Sequence, residues 1–170
     1  MNKILAVILT IILTLGLLLG GCSTDSEPLT ARVGEPAPDF QLENLDGQTV
    51  SLGDLKGKPI LINFWTTWCS SCAYEMPYIQ QVHEEWSDKR LAILAVNLGE
   101  SSSHVRGFVQ SYNLSLTVLL DPAWSSAQKY NVVALPTTFL IDKDGIVQAK
   151  LIGAFPSKEA IEGKLSKIIP

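Results

Sequence analysis

The apolar run Ile60–Trp65, broken only by Asn63, stops at a turn written Trp68-Cys69-Ser70-Ser71-Cys72, and a stretch of helical periodicity follows at once. A run of that kind suits a strand covered on both faces, the central strand of an α/β sheet, and Gly57-Lys58-Pro59 bounds it upstream. Over residues 71–88, Ile79, Val82 and Trp86 recur at helical spacing, and residues 91–97 read as a second apolar strand. Strand, helix and strand in that order make a βαβ unit with parallel strands and a right-handed crossover.

The two thiols therefore crown a strand-to-helix turn. Unsatisfied N–H groups and the positive end of the helix dipole favour the thiolate there, the only form that attacks a disulfide. That context points to redox chemistry rather than to two small apolar core residues. Cys69, nearer the helix start, is expected to be the accessible, attacking thiol. Cys72, about one turn further in, is expected to stay sheltered until it resolves a mixed disulfide.

Elsewhere the pattern continues to alternate strands and helices. Phe40-Gln41-Leu42-Glu43 and Thr49-Val50-Ser51-Leu52 flank Asp46-Gly47 as a hairpin. Ser101-Ser102-Ser103 offers cap hydroxyls to a helix carrying Val105, Phe108, Val109 and Tyr112 on one face. Residues 117–120 form a short strand, and Asp121-Pro122 opens a short helix reaching Tyr130. Residues 138–141 and 146–151 flank Asp144-Gly145 as a second hairpin, and Ser157 caps a last helix with Ile161, Leu165 and Ile168 on one side.

With 170 residues, 46% of them hydrophobic, the chain has enough apolar material for one substantial core and needs no second domain. A net charge of −4 and a pI near 5.1 leave no basic stripe, so a nucleic-acid partner is discounted. His83 lies three turns beyond Cys72 on the same helix and His104 on another, so no metal site is expected, and no cofactor is called for.

The first residues read as a secretory signal: Asn2 and Lys3 precede an apolar run over residues 4–19, followed by Leu19-Gly20-Gly21-Cys22. That ending resembles the bacterial lipobox, which implies cleavage before Cys22 and a diacylglycerol on its sulfur. An uncleaved transmembrane anchor is the alternative, since the run approaches the ~18 residues that cross a bilayer. Either way the domain is expected on the extracytoplasmic face of the cell membrane. The expected division is a signal over residues 1–21, a lipidated cysteine and flexible tether over 22–37, and a folded domain over 38–170. With Cys22 set aside, the remaining two of three cysteines form one CxxC pair, leaving none for a structural disulfide.

The order of elements resembles a thioredoxin-like fold: a central mixed β-sheet flanked by helices, here with an N-terminal β-hairpin extension. Phe64-Trp65 before the turn, Trp68 abutting Cys69, Pro77 beyond Cys72, and Leu135-Pro136-Thr137 fall where such proteins carry them. Over everything after the tether the chain is most similar to membrane-tethered thiol-disulfide oxidoreductases of the ResA and TlpA type. The resemblance runs from Val33-Gly34-Glu35-Pro36 through Leu55-Lys56-Gly57-Lys58 to Pro136-Thr137-Thr138-Phe139. It implies that Pro136 is a cis-proline opposite the CxxC and that Leu135 lends its backbone edge to an extended substrate.

Glu75, three residues past Cys72, shares that thiol's helix face, where a partly buried carboxylate relays the proton of the resolving step. A solvated acid complementing the helix dipole is the other reading of the position; the resemblance, which implies an active-site glutamate at this offset, favours the relay. Thioredoxin instead keeps a buried aspartate on the strand, where this chain has Asn63, which cannot titrate. Trp65 and Trp68 are expected to wall the thiols, with Trp68 contacting substrate, and ordinary core packing is an equal reading for Trp65; Trp86 and Trp124 read as packing.

The expected reaction is dithiol-disulfide exchange through Cys69 and Cys72. By resemblance its client is a protein disulfide such as that of apocytochrome c in cytochrome c maturation, and its electron donor a CcdA-like membrane thiol carrier. Ser70-Ser71 departs from the Gly-Pro of thioredoxin and the Glu-Pro of ResA-like sites, which leaves redox potential and partner open. Two other classes compete. A peroxiredoxin-like thiol peroxidase would carry Pro-x-x-x-Thr-x-x-Cys, but Ile62 holds the proline position. A non-catalytic lipoprotein would hold a client in the same groove without turning it over.

Overall fold

The computed structural model describes residues 30–86 and 91–169. The expected signal, Cys22 and the start of the tether lie outside the described residues. Asp46-Gly47 joins β1 (Gln41–Asn44) to β2 (Thr49–Ser51) as an antiparallel hairpin with Leu42 opposite Val50. Gly47 takes φ 76°, a left-handed turn position that suits glycine, and Asn44 Oδ1 closes the turn by accepting from the Asp46 and Gln48 N–H groups. A single 3-10 turn, Leu52–Leu55, leads to the buried strand β3 (Ile60–Trp65).

The βαβ unit follows as expected: β3, α1 (Ser70–Glu85) and β4 (Ala92–Leu98), with Ile60 opposite Ala92 in parallel register. Pro77 lies inside α1 without ending it. Next come α2 (Ser102–Ser111), capped by Ser101 Oγ on the His104 N–H, and β5 (Thr117–Asp121), parallel to β4. The short α3 (Ser125–Lys129) begins later than the break at Asp121-Pro122 suggests, because the Asp121 carboxylate caps it by accepting from the Ser125, Ser126 and Ala127 N–H groups. Strand β6 (Thr137–Ile141) runs antiparallel to β3, β7 (Val147–Ile152) pairs antiparallel with β6, and α4 (Lys158–Leu165) follows, capped by Ser157.

The seven strands form one mixed sheet in the order β2-β1-β5-β4-β3-β6-β7. Because side chains alternate along a strand, β3 feeds two cores. Leu61 and Trp65 join Met76, Ile79, Val105 and Ile161 on the face covered by α1, α2 and α4. Ile60, Ile62 and Phe64 join Phe40, Tyr130 and Phe139 on the opposite face.

The packed body reaches further toward the N-terminus than the expected start at Pro38. Ala31 is buried, and its N–H donates to Lys129 O at 2.8 Å. Gly34 and Ala37 donate to the carbonyls of Val147 and Gly145, and Pro36 bridges Ile146. Residues 34–37 thus pair with residues 145–147 and cover the start of the edge strand β7, where bare backbone groups would otherwise stand unpaired. Their Gly and Pro content reads as a linker in sequence, and here it serves an edge strap instead.

Candidate active site

Cys69 is the N-cap of α1: its Sγ accepts the Cys72 N–H at 3.2 Å, so the helix starts at Ser70. The two cysteines are joined as a disulfide with Cα atoms 5.2 Å apart. Cys69 is 8% exposed and Cys72 fully buried, so solvent meets the pair from the Cys69 side. Trp68, just before it, is 70% exposed. Trp65 takes the core-packing reading: it is wholly buried on the helix-covered face, in the same cluster as Cys69 and Cys72, with its ring 4.9 Å from that of Phe108.

One turn into α1, Glu75 is fully buried. Its Oε1 accepts from Asn63 Nδ2 at 2.8 Å and its Oε2 from the Phe155 N–H at 2.8 Å. Burial raises its pKa from 4.5 to about 7, against the smaller opposing pull of the Phe155 and Asn63 hydrogen bonds. The reading of this residue as a solvated acid is thereby corrected. Asn63 also donates to Thr138 Oγ1 at 3.0 Å, tying the carboxylate to β3 and β6 at once.

The Leu135–Pro136 peptide bond is cis, and Pro136 O accepts from the Gly153 N–H at 2.9 Å. Leu135 lines an open groove of about 480 Å³ with Trp68, Cys69, Trp124, Val132 and Val133; none of the residues lining it is charged. Trp124, read from sequence as packing, is 39% exposed on this groove. It is held there by a left-handed backbone conformation, φ 59° and ψ 20°. Trp86 does pack, with its indole N–H donating to Glu162 at 3.0 Å.

Glu100, unremarked in the sequence, holds the loop that presents Cys69. Its carboxylate accepts from Thr67 N–H at 2.7 Å, Thr67 Oγ1 at 2.6 Å and Asn97 Nδ2 at 2.7 Å, with His104 Nε2 at 3.8 Å. Burial alone pushes its pKa up, but the Thr67 and Asn97 hydrogen bonds and the nearby His104 outweigh it and hold the group below the usual carboxylate range. A Ser-rich helix start immediately after it hides this acid among ordinary cap residues in the sequence. Among the described residues, no three or more His, Cys, Asp or Glu side chains come together as a metal site, and no helix is long and apolar enough to cross a membrane.

A thioredoxin-like fold with a disulfide capping its first long helix, a buried carboxylic acid behind the pair and a cis-proline loop beside it defines an enzyme of thiol-disulfide exchange. The chain belongs to the AhpC/TSA family, whose pattern matches residues 33–150. It is 41% identical over 150 residues to the thiol-disulfide oxidoreductase ResA of Bacillus cereus, covering 88% of this chain and 85% of that one. It is 42% identical over 135 residues to the thioredoxin-like protein YneN of Bacillus subtilis, covering 78% of each. Among solved structures it superposes on a candidate thiol:disulfide interchange protein DsbE of Chlorobium tepidum, with TM-score 0.77, 31% identity and coverage of 83% of this chain and 100% of that one. It is a thiol-disulfide oxidoreductase of the ResA and DsbE type.

Proposed function

We propose that this chain is a lipid-anchored reductant of protein disulfides outside the cytoplasm, with Cys69 as nucleophile, Cys72 as resolving thiol and Glu75 as the proton acceptor between them. The Cys69 thiolate attacks one sulfur of a substrate disulfide, forming a mixed disulfide and releasing the other substrate sulfur as a thiolate that takes a proton from water. Cys72 then passes its proton to the Glu75 carboxylate and attacks Cys69 Sγ, which frees the second substrate sulfur as a thiolate that takes a proton from water and leaves the enzyme as the disulfide. Two electrons move from the enzyme dithiol to the substrate.

The observation that carries this reading is a fully buried carboxylic acid on the Cys72 side of α1 whose pKa is pushed up to about 7. A group poised there accepts a proton readily at neutral pH and returns it readily, as a resolving step run repeatedly requires. Similarity to ResA supports apocytochrome c as client, a CcdA-like membrane thiol carrier as the dithiol that restores the reduced enzyme, and Cys22 as the lipidated anchor. Trp68, Leu135 and Pro136 receive the substrate chain.

Replacing Cys72 with alanine tests the scheme. The full-length variant is expected to accumulate mixed disulfides on Cys69, which capture from native membranes identifies. Absence of any captured client, or unchanged function in the double cysteine variant, would turn the reading toward a holding protein. Loss of function in Cys69→Ser with client binding intact supports catalysis.

A further inference from the structure

On the groove that Leu135 also lines, the Trp124 ring is fixed by two separate features of the backbone. Trp124 occupies the left-handed region at φ 59°, a strained conformation that a bulky side chain rarely adopts. Its indole also lies against Gly99, where a Cβ would come 2.7 Å from Nε1, so the ring occupies the space that any side chain at that position would need. Gly99 itself has φ 74° and donates its N–H to Asp121 O at 3.1 Å, which holds the two ring-positioning turns together. A large apolar ring held in a strained turn and still 39% exposed is not placed for core packing.

The ring shares its groove with Cys69, and the substrate disulfide must enter that groove to be attacked. Trp68 lies on the same groove, 70% exposed, and Val132, Val133 and Leu135 supply the rest of an uncharged lining. We infer that Trp124 is a specificity-determining residue which, with Trp68, makes an aromatic clamp selecting substrate segments that carry an aromatic or branched apolar side chain beside the reacting cysteine. The occupant is the segment flanking the substrate disulfide, because Cys69 is part of the groove wall. Aromatic faces pay little conformational entropy to bind apolar side chains and repel none by charge. This inference rests on the exchange reaction proposed above.

The test measures kcat/KM of the reduced enzyme on three disulfides: a peptide with phenylalanine or leucine next to each cysteine, the same peptide with serine or aspartate there, and hydroxyethyl disulfide, too small to reach the wall. Trp124→Asn removes the ring with a residue that tolerates left-handed backbone, and Trp124→Phe keeps an apolar face. Thermal unfolding of both variants is expected to show a cooperative transition like that of the wild type, and only variants that show one are compared. Trp124→Asn is expected to lose about 10-fold on the apolar peptide and less than about 2-fold on the other two substrates, with Trp124→Phe recovering most of the loss. Equal loss on all three substrates, or no loss on any, overturns the clamp and leaves exchange intact. Failure of the wild-type enzyme to reduce even hydroxyethyl disulfide overturns the exchange reading, and the clamp with it.

Discussion

Asn63, in the middle of a fully buried strand, donates its side-chain amide at 2.8 Å to Glu75 Oε1, while the Phe155 N–H occupies the other carboxylate oxygen at the same distance. Both bonds favour the charged acid, and burial favours the neutral one more strongly, which sets the value at about 7. The acid behind the disulfide therefore changes charge near neutral pH, and the measurable consequences separate into rate and stability.

For rate, the carboxylate must be ionised to accept the Cys72 proton, so decay of a preformed mixed disulfide is expected to accelerate as pH rises through about 7. Glu75→Gln should slow that decay by roughly 100-fold and abolish the midpoint, since proton transfer by a positioned side chain contributes about that much. Stopped-flow release of a fluorescent substrate thiol follows it. An unchanged rate and midpoint in Glu75→Gln would exclude Glu75 as the proton acceptor.

The same shift makes stability fall as pH rises. The folded protein holds the Glu75 proton more tightly than the unfolded chain, whose value is near 4.5. Its contribution is therefore complete below 4.5 and is lost as pH climbs through about 7, amounting to about 3 kcal/mol. Urea unfolding of the oxidised protein at pH 4.5 and pH 8 should show this loss in wild type relative to Glu75→Gln; parallel pH profiles in the two proteins would contradict it.

Glu100 acts on the turn before the thiols rather than on the thiols themselves. Glu100→Ala leaves the Thr67 N–H and hydroxyl without their acceptor, an expected cost of about 2 kcal/mol for bonds to a charged group. Because its folded value is lowered, this contribution is present above 4.5 and is lost as pH falls below that. Chemical denaturation measures the cost. Alkylation of reduced Cys69 should also slow in Glu100→Ala, a readout that stabilisation alone leaves unmoved.

Shortening the chain to begin at Pro38 strips the backbone bonds from Ala31, Gly34 and Ala37. The shortened protein is expected to melt at a lower temperature than one beginning at Thr30 and to self-associate through the bared backbone at residues 145–147, visible by light scattering. Identical melting and a monomeric profile would show that the strap is dispensable.

What was legible in the sequence was local. The run Ile60–Trp65, the CxxC turn and the three-residue offset to Glu75 lie within one strand and one helix, where periodicity alone places side chains on faces. The Glu75 clamp was only half legible, because its second donor is the backbone of Phe155, a group any residue but proline would supply and one 80 positions away. Trp124 misled because nothing in Asp121-Pro122-Ala123-Trp124 announces a tryptophan with positive φ, and the space for its ring comes from Gly99 on another strand's end. Residues 31–37 misled for a different reason: an edge strap needs only backbone pairing, so composition carries no sign of it.

The turn bearing Cys69 leaves the end of β3, Glu100 follows the end of β4, Trp124 follows the end of β5, and Pro136 precedes the start of antiparallel β6. All four strands are neighbours in the sheet, so these segments emerge on a single rim. Such a rim separates two kinds of inheritance: the strands beneath it lock the electron-exchanging sulfurs in place, while the connecting segments remain free to drift in length and composition. Relatives built on this plan can acquire new clientele by rewriting a loop, with no renegotiation of the scaffold underneath.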